Sequence, residues 1–112
     1  MMSRKDITGR WRITEMELWD ADYFDEEVKA YIRIDNSGSG EFQFGLVCGS
    51  MCGDFKKNSK GIVFDFTWEG YDECDAAAGD GWLETEDGKT GAGQIRFHCG
   101  DKSGFSAKKV RK

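Results

Sequence analysis

The sequence predicts an all-β fold, in which an antiparallel up-and-down meander of about eight strands closes into a small barrel. Apolar and polar residues alternate along several short runs, which is the spacing of half-buried strands. Turn-forming residues separate these runs, and the 112 residues include 15 glycines and no proline. Successive strands joined by short turns pair antiparallel. Closing such a meander removes its open edges, so we expect a barrel.

The strands are predicted where one face of the chain is consistently apolar. In chain order, these faces are Ile7, Gly9, Trp11 and Ile13; Ile32 and Ile34; Phe42, Phe44, Leu46 and Cys48; Ile62, Phe64, Phe66 and Trp68; Ile95, Phe97 and Cys99; and Phe105 and Ala107. Short strands near residues 55 and 83 complete the meander. Turns are predicted at residues 35–38, 57–61, 86–89 and 100–104, where Gly, Asn or Asp accommodates a positive φ.

One segment, residues 18 to 28, departs from this alternation. Trp19, Tyr23 and Phe24 fall at helical spacing, and Asp20 or Asp22 is suited to cap a helix. We therefore expect a short helix or helical loop between the first two strands, above one mouth of the barrel.

Length and composition indicate a single domain over residues 1–112, with residues 1–5 and 110–112 as flexible termini. Hydrophobic residues make up 38% of the chain and aromatic residues 13%, enough for a core without disulfides or metal. The formal net charge of -5 disfavours nucleic acid and anionic membranes as partners. No apolar run is long enough to span a bilayer or form a signal peptide, so a cytoplasmic location is expected. No cofactor signature is present.

A Gly-x-Trp pattern lies at the start of the first predicted strand, in Gly9-Arg10-Trp11. It resembles the pattern of the calycins, which include lipocalins, fatty-acid-binding proteins and avidins. The resemblance implies that Trp11 closes one barrel end, with a basic side chain of the last strand across its ring: Lys108, Lys109 or Arg111. It also implies a helical lid between the first two strands.

The chain as a whole is also similar to small uncharacterised bacterial proteins, a resemblance that implies no activity. The stretches that carry it are GRWRI at 9–13, MELWD at 16–20, WEGYDE at 68–73 and SGF at 103–105.

The cysteines and the single histidine are the candidates for metal or covalent chemistry. Zinc is usually held by thiolates and imidazoles, here Cys48, Cys52, Cys74, Cys99 and His98. Their spacing matches no zinc knuckle or ribbon, and Cys99 falls on an apolar strand face, so free thiols and no metal are favoured. His98 is expected to point outward, and no nucleophile accompanies it. An enzymatic function is therefore the least supported.

Two acidic groups stand out: residues 69–75, with Asp80 after them, and the carboxylates at positions 20, 22, 25, 26 and 27. Their spacing is not that of a calcium-binding EF-hand loop. Solvated surfaces are the favoured interpretation. If both groups lie at one barrel mouth, however, their field would attract cations.

Glu15 continues the inward parity of Trp11 and Ile13, although a buried carboxylate is costly unless it is paired. Two explanations remain open. A β-bulge would turn Met16 and Leu18 inward, which is favoured. Otherwise Glu15 faces a cavity and anchors a ligand together with Arg33 or Arg10.

Two functions follow from this barrel. The first is non-enzymatic binding of a small, partly apolar molecule in a barrel cavity under the lid. The second is a protein interaction module that uses the acidic loops or an edge strand. A hollow barrel would favour the first and a filled one the second, since eight strands permit either. The candidate ligand-binding residues are Glu15, Trp19, Tyr23, Phe24, Arg33, Phe44, Phe64 and Trp68.

Overall fold

The computed structural model describes residues 3–110, and it confirms the predicted antiparallel up-and-down barrel. Eight strands close into one barrel in which each strand pairs with its sequence neighbours and β1 pairs with β8. A short helical segment lies between the first two strands, as predicted. The elements are α1 Arg4–Ile7, β1 Gly9–Met16, α2 Ala21–Phe24, β2 Tyr31–Ile34, β3 Ser39–Phe44, β4 Val47–Lys57, β5 Ile62–Asp72, β6 Asp75–Thr85, β7 Thr90–Phe97 and β8 Lys102–Lys109.

Some of the predictions fall on the chain ends. Residues 1, 2, 111 and 112 lie outside the described residues, and with them lies Arg111, one candidate partner for the Trp11 ring. The flexibility of residues 1–5 and 110–112 stays a prediction. Neither helix in residues 3–110 is long and apolar enough to cross a bilayer.

One end of the barrel is closed by Trp11 and the one-turn helix α1. The Trp11 side chain is fully buried, and its indole N–H donates a 2.8 Å hydrogen bond to the Ile7 carbonyl. The Lys109 ammonium lies 5.3 Å from the Trp11 ring centroid, and burial lowers the pKa of that ammonium. Lys108 is exposed. Of the two described candidates from the last strand, Lys109 is therefore the one that covers the ring.

The first strand begins at Gly9, so the prediction that it begins at Ile7 is wrong. Ile7 ends α1, and the chain changes direction at Gly9, whose φ of +107° is accessible to few residues other than glycine.

The middle layers of the barrel are filled with side chains. Rings on one strand occupy the space that glycines leave on its neighbours, as small barrels commonly do. A Cβ added to Gly49 would lie 2.8 Å from the rings of both Phe42 and Trp68. A Cβ on Gly81 would lie 2.9 Å from Phe66. These layers therefore form a solid core, and any ligand of molecular size must sit elsewhere.

The predicted third strand is wrong, because residues 42 to 48 are a hairpin. A turn at Gly45 and Leu46 separates β3 from β4, so Val47 faces the core and Cys48 faces solvent. Gly45 has a φ of +56°, and a Cβ there would lie 2.4 Å from the Tyr23 ring. Only glycine fits this turn.

The region after β7 also differs from prediction. The turn begins at residue 98 rather than 100, and Cys99 is exposed within it, with a φ of +58°. The expectation that Cys99 lies on an apolar strand face is therefore wrong. Ser103 lies inside β8 and is fully buried.

A β-bulge in β1 decides where Glu15 points. The register between β1 and β8 shifts between Ile13 and Glu15, so Thr14 is the additional residue. Met16 consequently faces the core while Glu15 is exposed. The bulge interpretation is correct for Met16 but wrong for Leu18, which is 49% exposed. Glu15 faces no cavity.

A candidate binding cleft at the barrel mouth

The barrel rim opposite Trp11 is uneven, because β4, β5 and β6 are longer than the other strands. Each has eleven residues, whereas β7 pairs with β6 only from Gly79 to Thr85. Residues 75–78 of β6 thus rise about 13 Å above the end of β7, at about 3.3 Å per residue. We call residues 47–49, 70–72 and 75–78 the raised wall.

The inner face of the raised wall has a smooth row and a charged row. Directly opposite residues of an antiparallel ladder project from the same face, so the pairings define each row. The lower row is Gly49, Gly70 and Ala77. The upper row is Val47, Asp72 and Asp75. The lower row carries nothing larger than a methyl group; Gly49 in it is covered by core rings, whereas Gly70 and Ala77 are partly exposed. The upper row adds two carboxylates at the rim.

Aromatic rings fill the barrel mouth beside this wall. The Trp19 ring centroid lies 5.2 Å from that of Phe44 and 6.3 Å from that of Phe97. Phe97 in turn meets the edge of Trp68 at 5.2 Å. Trp19 and Phe97 remain partly exposed. The space between these rings, Tyr23, the turn at residues 98–101 and the raised wall is the mouth cleft.

The mouth cleft is open and acidic. Open space of about 1340 Å³ runs along both faces of the raised wall. The residues that line this space include no lysine or arginine. The lining carboxylates are Glu41, Glu69, Asp72, Asp75 and Asp101, and the other ionisable side chains are Cys48, the tyrosines and His98. Glu41 and Glu69 lie on the outer face, opposite Ser50 on its two sides. Tyr31 and Arg33 donate hydrogen bonds to Glu41 and lower its pKa. Glu69, Asp72, Asp75 and Asp101 take part in none of the ion pairs found within residues 3–110.

Tyr23 lies near carboxylates from both acidic groups of the sequence. Burial raises the pKa of the Tyr23 phenol, and the charges of Asp72, Glu26 and Glu73 raise it further, against a hydrogen bond with the Leu46 backbone. Glu26 follows α2, whereas Asp72 and Glu73 come from the β5–β6 hairpin. The segment predicted to be an acidic loop at residues 69–75 is in fact the tip of this hairpin.

The helix α2 is held against the side of the barrel by buried contacts and hydrogen bonds. It packs against β1, whose neighbour β2 has only four residues. Phe24 is buried, and its carbonyl accepts a 2.8 Å hydrogen bond from the Gly45 N–H. The Asp25 carboxylate accepts a 2.8 Å bond from the Ala30 N–H and pairs with Arg12 at 3.1 Å. Only the Trp19 and Tyr23 side of this segment faces the cleft.

The predicted ligand-binding residues separate into three groups. Trp19 and Tyr23 line the mouth cleft, and Phe44 and Trp68 pack against lining rings. Phe24 and Phe64 belong to the core. Glu15 and Arg33 lie on the outer surface and do not face the mouth cleft, and Arg33 pairs with Asp35 and Glu41. Arg10 also lies outside, stacked 4.1 Å from the Tyr31 ring centroid.

The predicted free thiols and the outward histidine occupy the surface. Cys48, Cys52, Cys74 and Cys99 are free and exposed, and His98 is exposed. Residues 3–110 contain no group of three or more His, Cys, Asp or Glu side chains arranged to hold a metal ion.

Sequence reasoning missed the smooth row and Phe97 as cleft residues. The one sequence feature that indicates the row is the run Ala76-Ala77-Ala78-Gly79, since small residues inside a strand often mark a close approach of another group.

No family model matches the chain, and no curated protein or solved structure is significantly similar to it. The calycin resemblance therefore stays a prediction.

Proposed function

We propose that this protein is a non-enzymatic binding protein that holds a small, partly apolar molecule in the mouth cleft. The observation that carries the proposal is the pair of partly exposed rings, Trp19 and Phe97, beside the smooth row of the raised wall. Binding sites for small molecules are typically concave and apolar, with a few polar groups that fix orientation.

The filled core excludes the ligand position inside the barrel that the sequence predicts for a binding protein, so the proposed position is the open mouth instead. Phe64, Leu83 and Ile95, which come from β5, β6 and β7, are fully buried, so side chains fill the barrel around them. The Trp11 end is closed. The mouth cleft lies at the opposite, open end, which agrees with the arrangement that a calycin-like barrel implies.

Two neighbouring alanines allow a matched test. Ala77 faces the cleft and Ala76 faces outward on the same strand, so a leucine at each position adds equal bulk to opposite faces. In a titration with a fluorescent hydrophobic dye, we expect Ala77→Leu to weaken binding about tenfold or more, equivalent to about 1.4 kcal/mol, and Ala76→Leu to leave it unchanged. No dye binding by the wild type, or equal affinities for all three proteins, would overturn the proposal.

A second candidate, the interaction module, is favoured by the edge of β6 at residues 75–78. The Ala78 carbonyl accepts a hydrogen bond from the His98 N–H, so the Ala76 backbone groups, two residues away, face the same side. No described strand pairs with them there, and such an edge can add an extended peptide as another strand. Peptide binding through this edge would be lost in Ala76→Pro, which removes the N–H, and retained in Ala77→Leu.

A further inference from the structure

We propose that the ligand of the mouth cleft is a small organic cation with a flat, apolar body. This inference rests on the proposed binding function and specifies the chemistry of its ligand. Charge, shape and the aromatic rings of the cleft each contribute to it.

The first step is the pair of carboxylates at the rim. Asp72 and Asp75 lie directly opposite each other across β5 and β6, on the inner face of the raised wall. Like charges in this position repel. Asp54 and Asp65 form a comparable opposed pair on the outer face of the barrel, but there the Lys56 ammonium lies 3.2 Å from Asp65. Within the described residues, no cation pairs with Asp72 or Asp75.

The second step concerns the positively charged side chains, which lie away from the cleft. The ion pairs of residues 3–110 involve Arg12, Arg33, Lys56 and Arg96, and none of these side chains lines the cleft. Asp101 adds further negative charge to the lining. A concave surface lined by one sign of charge concentrates ligands of the opposite sign. The cleft therefore favours a cation and disfavours an anion.

The third step is shape. Within the smooth row, the rings of Phe42 and Trp68 cover Gly49. Gly70 and Ala77 are partly exposed and present backbone and one methyl group, so a flat molecule can lie close against these two residues. Trp19 and Phe97 flank this surface, and aromatic rings attract organic cations through their π faces. A bare metal ion would need several oxygen ligands in one place, and residues 3–110 provide no such cluster.

The experiment compares three probes of nearly equal size and shape: benzamidinium, benzamide and benzoate. Their affinities are measured by calorimetric titration of the full chain. We expect benzamidinium to bind at least about tenfold more tightly than benzamide, with benzoate the weakest of the three. The preference for benzamidinium should disappear in Asp72→Asn/Asp75→Asn and persist in Asp54→Asn/Asp65→Asn. Both double variants remove the same formal charge from an opposed pair, and only the first pair faces the cleft.

The possible failures are distinguishable. Equal binding of benzamidinium and benzamide, abolished for both by Ala77→Leu, would overturn the cation inference and leave the binding function intact. Equal weakening of benzamidinium by the two double variants would show only a general effect of net charge, which also overturns the inference. If the wild type binds neither these probes nor the hydrophobic dye, both the inference and the proposed function are wrong.

Discussion

Trp11 and Trp68 are both buried, yet their indole N–H groups are in different situations. The Trp11 N–H donates to the Ile7 carbonyl at 2.8 Å. The Trp68 N–H is buried and has no acceptor within the described residues. Trp68 instead meets Phe42 and Phe97 at centroid distances of 5.0 and 5.2 Å, both edge-to-face. A buried donor without a partner gives up its hydration energy without a hydrogen bond in return.

Phenylalanine substitutions measure this difference. Trp11→Phe and Trp68→Phe remove the same volume, but only the first removes a hydrogen bond and leaves a buried carbonyl without its donor. We expect Trp11→Phe to lower the free energy of unfolding by about 1–3 kcal/mol more than Trp68→Phe does. Urea denaturation of both variants tests this. Equal losses would show that the Trp11 hydrogen bond contributes nothing to stability.

Single residues also show how far a sequence pattern can be followed. Parity alone assigned Trp11 to the interior, where it lies. The same parity left Glu15 ambiguous, since one additional residue in a bulge reverses every later side chain. The bulge depends on how β1 meets β8, at the other end of the chain. Local alternation contains no information about that contact.

At the scale of elements, the turn between β6 and β7 depends on one carboxylate. Asp87 accepts hydrogen bonds of 2.8 Å from the N–H groups of both Lys89 and Thr90, and one of 3.0 Å from the Thr90 hydroxyl. These bonds lower the pKa of Asp87 from 3.8 to about 2, and the bond from the Thr90 N–H has the largest effect. The ionised carboxylate therefore stabilises the turn.

This shift predicts an acid dependence of stability. Because the pKa of Asp87 is lower in the folded chain, its contribution is present above about pH 3.8 and is lost as the pH falls through about 2. Asp87→Asn should lose this part of the pH dependence. Denaturation midpoints measured between pH 2 and 5 test it, with Asp54→Asn, an exposed carboxylate, as the control. Parallel pH profiles for wild type and Asp87→Asn would contradict the prediction.

Strand positions were predictable where turns have a distinctive composition and not elsewhere. The turn at residues 58–61 contains Asn58 and Gly61 and was found. The turn between β3 and β4 contains only Gly45 and Leu46, and the apolar alternation continues through it without a break. The reason for Gly45 is its contact with the Tyr23 ring, which belongs to a different element. A requirement of this kind appears only once the chain is folded.

The candidate site was likewise predictable from the sequence only in part. The sequence placed Trp19 and Tyr23 above one mouth, and it left open whether the two acidic groups lie there together. It did not identify the smooth row, because Gly49, Gly70 and Ala77 become neighbours only through the register of β4, β5 and β6. Register follows from pairing between strands rather than from the composition of any one of them.

The whole molecule has two unlike ends along its 41 Å long axis. One is closed by α1, Trp11 and Lys109, and the other carries the raised wall and its carboxylates. The filled core separates the two ends and holds the strands in register. The cleft is therefore built on a closed and packed barrel, at the end opposite Trp11.

The pairing of β1 with β8 means that the barrel is a ring with no structurally required first strand. Trp11 lies opposite Lys109, and the Val110 N–H donates to the Arg10 carbonyl at 2.9 Å, so the two strand ends are side by side. A circular permutant would have residues 110 and 3 joined by a flexible glycine–serine linker and new ends opened between the exposed residues Ser59 and Lys60 of the turn at residues 58–61. It would keep every strand ladder. That turn is at the closed end, remote from the cleft. We expect the permutant to fold with an unchanged circular dichroism spectrum and to bind the same dye. A circular dichroism spectrum typical of a molten globule would instead show that folding requires an intact β4–β5 hairpin.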